Sequence, residues 1–171
     1  MKKNILFAIL AVIFIAGCQP KVDDKQEKQD EPIDLASVKD SISLVMDNYF
    51  EAYNSKDLET YSNLLADDGL FCGTDPGEFW NKKEIVDMVK LQFADTSFNW
   101  TLSPDNQEIR VSSNGMSAII VSQYLVTQIS PKIPIREITH IIKAENRWLI
   151  SFTCYNFITE NENVEKLNQA L

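Results

Sequence analysis

The sequence predicts an α+β domain, with helices in its first half and an antiparallel sheet in its second half. Between residues 35 and 93, apolar residues recur mostly every three or four positions, which is the period of an amphipathic helix. From residue 98 onward they form short runs typical of strands, separated by turn-forming residues. Because helices and strands occupy separate parts of the chain, we expect the helices to pack on one face of a curved antiparallel sheet.

Three helices are predicted before the sheet. The first covers residues 35 to 53, where the apolar side chains form one continuous stripe. Asn54-Ser55-Lys56 interrupts that stripe, and Asp57 is a suitable N-cap for a short second helix at residues 58 to 65. The third helix covers residues 81 to 93 and again has its apolar residues on one face.

The strands follow the helices, apart from a brief one predicted at residues 70 to 72 after the Asp67-Asp68-Gly69 turn. The segment after the last strand, residues 161 to 171, is expected to form a tail or a short helix. The main strands are predicted at residues 98–102, 107–112, 117–129, 135–144 and 147–158.

The N-terminus has the pattern of a bacterial secretion signal. Lys2 and Lys3 precede an apolar run at residues 5 to 15, and Ala16-Gly17 stands before Cys18. An apolar run of about a dozen residues is shorter than the roughly 20 that a membrane-spanning helix needs. The Ile15-Ala16-Gly17-Cys18 run resembles a lipobox, which implies cleavage after residue 17 and acylation of Cys18. The alternative is an ordinary signal peptide cut nearby.

Residues 18 to 34 contain almost no apolar side chains and many charged ones, which predicts a flexible tether between the lipid and a domain at residues 35 to 160. Gln19 stands where an aspartate retains many lipoproteins in the inner membrane. We therefore expect the protein to be located in the cell envelope, at the outer membrane and not at the inner one. The formal net charge is −9, and it becomes more negative when Lys2 and Lys3 leave with the signal. An acidic surface repels polyanions, so nucleic acid is not expected as a partner.

Two cysteines remain besides Cys18. Cys72 and Cys154 both lie in apolar strand patterns. We expect two buried free thiols, with a disulfide in the oxidising envelope as the alternative. Two cysteines cannot build a metal site, and the sequence has no glycine-rich phosphate loop, so no cofactor is expected.

Three segments resemble the SnoaL-like branch of the NTF2-like superfamily. Residues 53 to 58 read Tyr-Asn-Ser-Lys-Asp-Leu, residues 67 to 80 contain Gly73-Thr74-Asp75-Pro76, and residues 138 to 150 resemble the closing hairpin of that family. Glu145-Asn146 replaces the Asp-Gly that the family usually carries in this hairpin. The resemblance covers nearly all of residues 36 to 158. It implies a cone in which the sheet curls around the helices and encloses an apolar pocket.

The hairpin determines which side chains face that pocket. If Glu145-Asn146 is a two-residue loop, Ala144 pairs with Arg147, and every second residue from there shares a face. The more apolar set is expected to face inward, and the mixed set is expected to face outward. The inward set comprises Thr139, Ile141, Trp148, Ile150 and Phe152, together with Glu137 and Cys154, and the outward set comprises Ile138, His140, Ile142, Leu149 and Tyr155.

Few residues carry recognisable chemistry. Glu137 is the one carboxylate that the hairpin directs inward, so it is the only candidate base, but the sequence favours a rim carboxylate paired with a lysine or an arginine at this position. His140 is expected outside the pocket. Asp75 and Glu78 are either turn-forming residues or polar groups at the pocket mouth. The aromatic residues Tyr53, Trp80, Trp100 and Tyr124 either fill the core or contact a ligand.

Three functions remain open. The first is a noncatalytic pocket that binds a small apolar or aromatic ligand. The second is a protein-interaction module, or a homodimer, that uses the outer sheet face, where apolar residues stand among polar ones. The third is a cofactor-free lyase or isomerase with Glu137 as its base. The fold hosts both enzymes and binding modules, so the sequence favours the first function without excluding an enzyme.

Overall fold

The computed structural model describes residues 33 to 170, so the predicted signal peptide, Cys18 and nearly all of the tether lie outside the described residues. Within this range no helix is both long enough and apolar enough to cross a membrane. The helices are α1 (Leu35–Asn54), α2 (Leu58–Leu64), α3 (Lys82–Ala94) and α4 (Val164–Ala170), which follows a 3₁₀ turn at Asn161–Asn163. The strands are β1 (Leu65–Cys72), β2 (Phe79–Trp80), β3 (Asn106–Val111), β4 (Ser117–Tyr124), β5 (Ile135–Ala144) and β6 (Arg147–Phe157).

The α+β class and the three predicted helices are confirmed, and each of the three begins at a capping side chain. Asp34 accepts the backbone N–H groups of Ala36 and Ser37, and Asp57 accepts that of Thr60. Asn81 and Glu84 form a reciprocal capping box at the start of α3. The fourth helix, α4, is exposed and adds nothing to the buried core.

The sheet has six strands in the order β2-β1-β6-β5-β4-β3. All neighbours are antiparallel except β1 and β6, which run parallel, so the expectation of a purely antiparallel sheet was wrong. Strand β1 is also longer than predicted, because its first residue, Leu65, already pairs beside Ile150. The direction of β6 is fixed by its hairpin with β5, and β1 adds to the remaining edge of that strand.

Cys72 and Cys154 are partners across β1 and β6. Both are free thiols, in agreement with the expectation that they are not bonded. Cys72 is buried, whereas Cys154 is half-buried.

The predicted strand at residues 98 to 102 is absent. Its last residue, Leu102, forms its backbone hydrogen bonds with the side chain of Asn54 and not with a neighbouring strand. Asn54 Nδ2 donates to the Leu102 carbonyl at 2.8 Å, and the Leu102 N–H donates to Asn54 Oδ1, also at 2.8 Å. Strand β4 likewise ends at Tyr124 and not at residue 129. The backbone turns there, with the Val126 carbonyl accepting from two later N–H groups.

A β-bulge in β6 changes the predicted register of the hairpin. The pairs Lys143 with Trp148 and Ile141 with Ile150 are as predicted, but His140 then pairs with Phe152. The extra residue is Ser151, whose hydroxyl lies 2.7 Å from His140 Nδ1. A bulge adds one residue to one strand, so every later side chain of β6 moves to the opposite face.

Three assignments to a sheet face were therefore wrong. Phe152 and Cys154 were expected to face inward, and both lie on the outer face beside His140 and Ile138. Tyr155 was expected to face outward, but it pairs with Glu137 on the inner face. The bulge thus puts Tyr155, and not Cys154, opposite Glu137 inside the domain.

Candidate functional site

A cavity of about 180 Å³ lies between the three N-terminal helices and one end of the sheet. Every one of those helices and four of the strands contribute to its wall. It is lined by Tyr53, Tyr61, Gly73, Thr74, Glu78, Trp80, Ile85, Met88, Val89, Gln92, Trp100, Leu102, Tyr124, Val126, Ile129, Ile135 and Tyr155.

Six of the lining side chains are aromatic, and they come from six different places in the chain. Tyr53 lies in the last turn of α1, and its ring centroid lies 6.1 Å from that of Tyr61 in α2. Trp80 is in β2, and Trp100 belongs to the segment that Asn54 holds through Leu102. The other two are Tyr124 at the end of β4 and Tyr155 beyond the bulge in β6. The helices, strands and loops therefore bring these six side chains together around one cavity, which we call the aromatic chamber.

A buried carboxyl group lies behind this chamber. Glu137 is 0% exposed and lies on the inner face of β5. The Tyr124 hydroxyl donates to Glu137 Oε2 at 2.8 Å, and the Thr139 hydroxyl donates to Oε1 at 3.0 Å. Next to them, the hydroxyl oxygens of Tyr49 and Tyr155 are 2.6 Å apart. The carboxyl group thus contacts the pocket through the tyrosines and does not line it.

Burial changes the acidity of these groups. Loss of solvent raises the pKa of Glu137 to about 7, although hydrogen bonds from Tyr124, Thr139 and Tyr155 partly offset this effect. Burial also raises the pKa values of Tyr124, Tyr155 and Tyr49 well above their ordinary values, so their hydroxyls stay protonated. Only Glu137 in this cluster can change its charge near neutral pH.

The mouth of the pocket is formed by the loop between β1 and β2. The Glu78 side chain folds back over Gly73, where a Cβ atom would lie within 2.0 Å of its carboxylate oxygen, and it accepts the Asp75 N–H at 2.9 Å. Asp75 accepts the Gly77 N–H at 3.0 Å and does not line the pocket. Asp75 therefore forms the turn, whereas Glu78 both closes the turn and lines the mouth.

The structure divides the predicted ligand contacts into three groups. Tyr53, Trp80, Trp100 and Tyr124 all line the cavity. Phe152 lies on the outer face because of the bulge. The other four, Thr139, Ile141, Trp148 and Ile150, are buried in the core and do not line the cavity.

Two tyrosines of the chamber were not predicted as ligand contacts. Tyr61 belongs to the apolar pattern of α2, so the sequence assigned it only to the helix core. Tyr155 was placed outside because the sequence gives no sign of the bulge. His140 lies on the outer face with Ser151 as its hydrogen-bond partner. Among residues 33 to 170, no cluster of three or more acidic, histidine or cysteine side chains could hold a metal ion.

Comparison with solved structures finds many similar folds. A protein with a cystatin-like fold from Caulobacter vibrioides has 16% identity and a TM-score of 0.62, covering 79% of this chain and 99% of that chain. An NTF2-like protein from Cytophaga hutchinsonii has 17% identity and a TM-score of 0.55, covering 70% and 98%. An NTF2-like protein of unknown function from Shewanella oneidensis has 21% identity and a TM-score of 0.58, covering 69% and 98%.

At these identities the similarity concerns the fold alone. Comparison with curated proteins finds no match. The profile of the SnoaL-like domain matches residues 42 to 152, which include the larger part of α1, all of α2 and α3, and the sheet as far as the bulge in β6. The resemblance seen in the sequence is thereby confirmed: the chain belongs to the SnoaL-like domain family, and its fold is NTF2-like.

Proposed function

We propose that the domain is a noncatalytic module that binds a small, mostly apolar or aromatic molecule. The observation that carries this proposal is the cavity lined by six aromatic side chains from six parts of the chain. A pocket with mostly apolar and aromatic walls and a few convergent polar groups is the usual form of a small-molecule site. Here the polar lining residues are Thr74, Glu78 and Gln92, together with the four tyrosines, which carry hydroxyls.

The size of the cavity limits the ligand. Its volume of about 180 Å³ is close to that of an engineered apolar cavity of about 150 Å³ which holds benzene. One ring with small substituents, or a compact branched molecule, therefore fits this chamber. A larger molecule would have to extend through the mouth past Glu78 and Trp80.

An enzyme is the weaker alternative. A general base must come within hydrogen-bond reach of the proton that it removes. Glu137 does not line the cavity, and the Tyr124 hydroxyl already occupies one of its oxygens. The raised pKa of Glu137 suits a base, but the position of its carboxyl group favours a role in holding the tyrosines.

The pocket can be tested with tryptophan fluorescence, because the three tryptophans lie in different places. Trp80 and Trp100 line the cavity, whereas Trp148 lies in the core and does not. We expect bromobenzene, a small heavy-atom quencher, to quench the emission of Trp148→Phe saturably. The matched control is the Trp80→Phe, Trp100→Phe double variant, which retains Trp148 and should show no saturable quenching. Equal quenching of the two proteins would contradict the proposed site.

We also propose that the domain is anchored to the bacterial cell envelope through acylated Cys18, which the N-terminal sequence supports. Because more than one acyl chain gives stable membrane anchoring, Cys18→Ser should move the protein from the membrane fraction to the soluble fraction and remove its palmitate label. The control is Cys72→Ser, which should keep both the label and the location. A wild-type protein without label, or a Cys18→Ser protein that still pellets with membranes, would exclude the anchor.

Self-association through the outer sheet face stays a prediction, but its surface needs correction. Tyr155 cannot contribute, because it faces the interior. Phe79, Leu70 and Ile119 are the most exposed apolar residues of this face, at 64%, 44% and 42% exposure. They extend the patch to β2 and β1 on one side of the half-buried Ile138, Ile142 and Phe152, and to β4 on the other side.

A further inference from the structure

We propose that the pocket selects a small organic cation, that is, a quaternary ammonium or a protonated amine with apolar substituents. This inference rests on the proposed binding function and names its ligand class. It follows from the aromatic walls, from the signs of the charges around the cavity and from the hydrogen bond that the Tyr124 hydroxyl donates to Glu137.

The walls favour a cation because the face of an aromatic ring carries partial negative charge. A cation near such a face is attracted to it, and several rings around one site form the aromatic cage that recognises quaternary ammonium groups. Six aromatic side chains line this cavity. The same cluster already contacts a cation at its outer edge, where Lys56 Nζ lies 5.8 Å from the centre of the Phe98 ring. That ring packs against Trp100, with 4.8 Å between ring centroids.

The charges favour a cation as well. Among the lining residues the only ionised side chain is Glu78, and none is a lysine, an arginine or a histidine. Two basic residues on the neighbouring elements, Lys82 and Lys56, bind groups outside the lining. Lys82 of α3 binds Asp67 at 2.7 Å and the Leu65 carbonyl at 2.8 Å, and Lys56 binds the Asp95 carbonyl at 3.3 Å. An anionic ligand would therefore enter the chamber without a counter-charge.

The inner end of the chamber adds to this preference. The Tyr124 hydroxyl donates a hydrogen bond to Glu137, so its proton is already used. Toward a ligand, the Tyr124 oxygen can therefore act only through its lone pairs, which attract a cation or accept a hydrogen bond. Glu137, which accepts the hydrogen bond from Tyr124, supplies a second acidic group next to the chamber. A cation in the chamber would therefore have one acidic group, Glu78, in the lining and a second directly behind Tyr124.

The proposal can be tested with two molecules of the same shape. Choline and 3,3-dimethyl-1-butanol differ in that a quaternary nitrogen replaces a quaternary carbon, so only the former is charged. We expect isothermal titration calorimetry at pH 8 to give choline at least tenfold tighter binding. Equal affinities, or tighter binding of the neutral alcohol, would overturn the cation preference while leaving the binding function intact. If neither molecule binds and bromobenzene does not quench Trp80 or Trp100, the proposed function falls and the preference with it.

A charge variant separates the electrostatic effect from the shape of the site. Glu78→Gln keeps an oxygen that can accept the Asp75 N–H, but it removes the charge from the mouth. We expect it to weaken choline binding several-fold and to affect binding of the neutral alcohol much less. The matched control is Glu59→Gln, at an exposed position in the first turn of α2 away from the lining, which should bind both molecules as the wild type does. An equal loss of both ligands in Glu78→Gln would contradict the charge argument.

Discussion

The wild-type domain is expected to lose on the order of 3 kcal/mol of its free energy of unfolding as the pH rises from about 4.5 to above 7. Glu137→Gln is expected to abolish this loss. Burial raises the pKa of this carboxyl group from 4.5 to about 7, so the folded domain binds the proton more tightly than the unfolded chain does. The stabilisation is fully present below pH 4.5 and is lost as the pH rises through 7. Above that pH the folded domain contains a buried negative charge.

Urea denaturation at several pH values between 4.5 and 8 measures this effect. Glu137→Gln should give a nearly constant free energy of unfolding over that range and should exceed the wild type in stability at pH 8. The control is Glu51→Gln, at an exposed position on α1, which should retain the wild-type pH dependence. Carboxyl groups with lowered pKa, such as Asp67 beside Lys82, act below this pH window. A wild-type stability that does not fall between pH 5 and pH 8 would contradict the raised pKa.

Asn54→Ala is expected to destabilise the domain by about 2 to 3 kcal/mol. The Asn54 side chain makes two hydrogen bonds of 2.8 Å to the backbone of Leu102, a residue that is 7% exposed. Alanine would leave a backbone donor and a backbone acceptor without their partners, and an unpaired buried polar group is costly. Since the same segment contains Trp100, we also expect weaker saturable quenching by bromobenzene.

Thermal and urea denaturation of Asn54→Ala, together with the quenching assay, measure both effects. Asn99→Ala is a suitable control, because Asn99 is an exposed asparagine of the same segment. It should match the wild type in stability and in quenching. A change of less than half a kcal/mol in Asn54→Ala would show that water replaces the side chain at Leu102, and the segment would then need another explanation.

The parts of the fold that depend on local pattern could be predicted from the sequence. The apolar stripe of α1 lies within its helix and the cap at Asp57 lies directly before α2, so their positions agree with the structure. The two-residue turn at Glu145-Asn146 likewise gave the correct pairs near the hairpin tip. In each case the determining residues are neighbours in the chain.

The features of the fold that were predicted wrongly depend on residues far apart in the chain. The segment at residues 98 to 102 has a strand composition, but Asn54, which is 48 positions from Leu102, takes up its hydrogen bonds. The parallel pairing of β1 with β6 joins the two ends of the domain. The bulge at Ser151 is stabilised by His140 on the opposite strand, and no turn residue in β6 marks it.

The same distinction holds for the site. Four aromatic residues, Tyr53, Trp80, Trp100 and Tyr124, were candidate ligand contacts because of their amphipathic chemistry, and all of them line the cavity. Thr139, Ile141, Trp148 and Ile150 on β5 and β6 are instead buried in the core. Tyr155 was missed for the same reason that Phe152 was misplaced. A single inserted residue exchanged their faces.

The central claim is that small molecules bind in the aromatic chamber and not elsewhere on the domain. Its most direct test is the anomalous scattering of bromine in crystals of the domain soaked with bromobenzene. The structure predicts a bromine peak inside the cavity, between Trp80, Trp100 and Tyr124. Bromine peaks only on the outer sheet face, near Leu70 and Ile119, with none in the cavity, would contradict the claim and favour the interaction module.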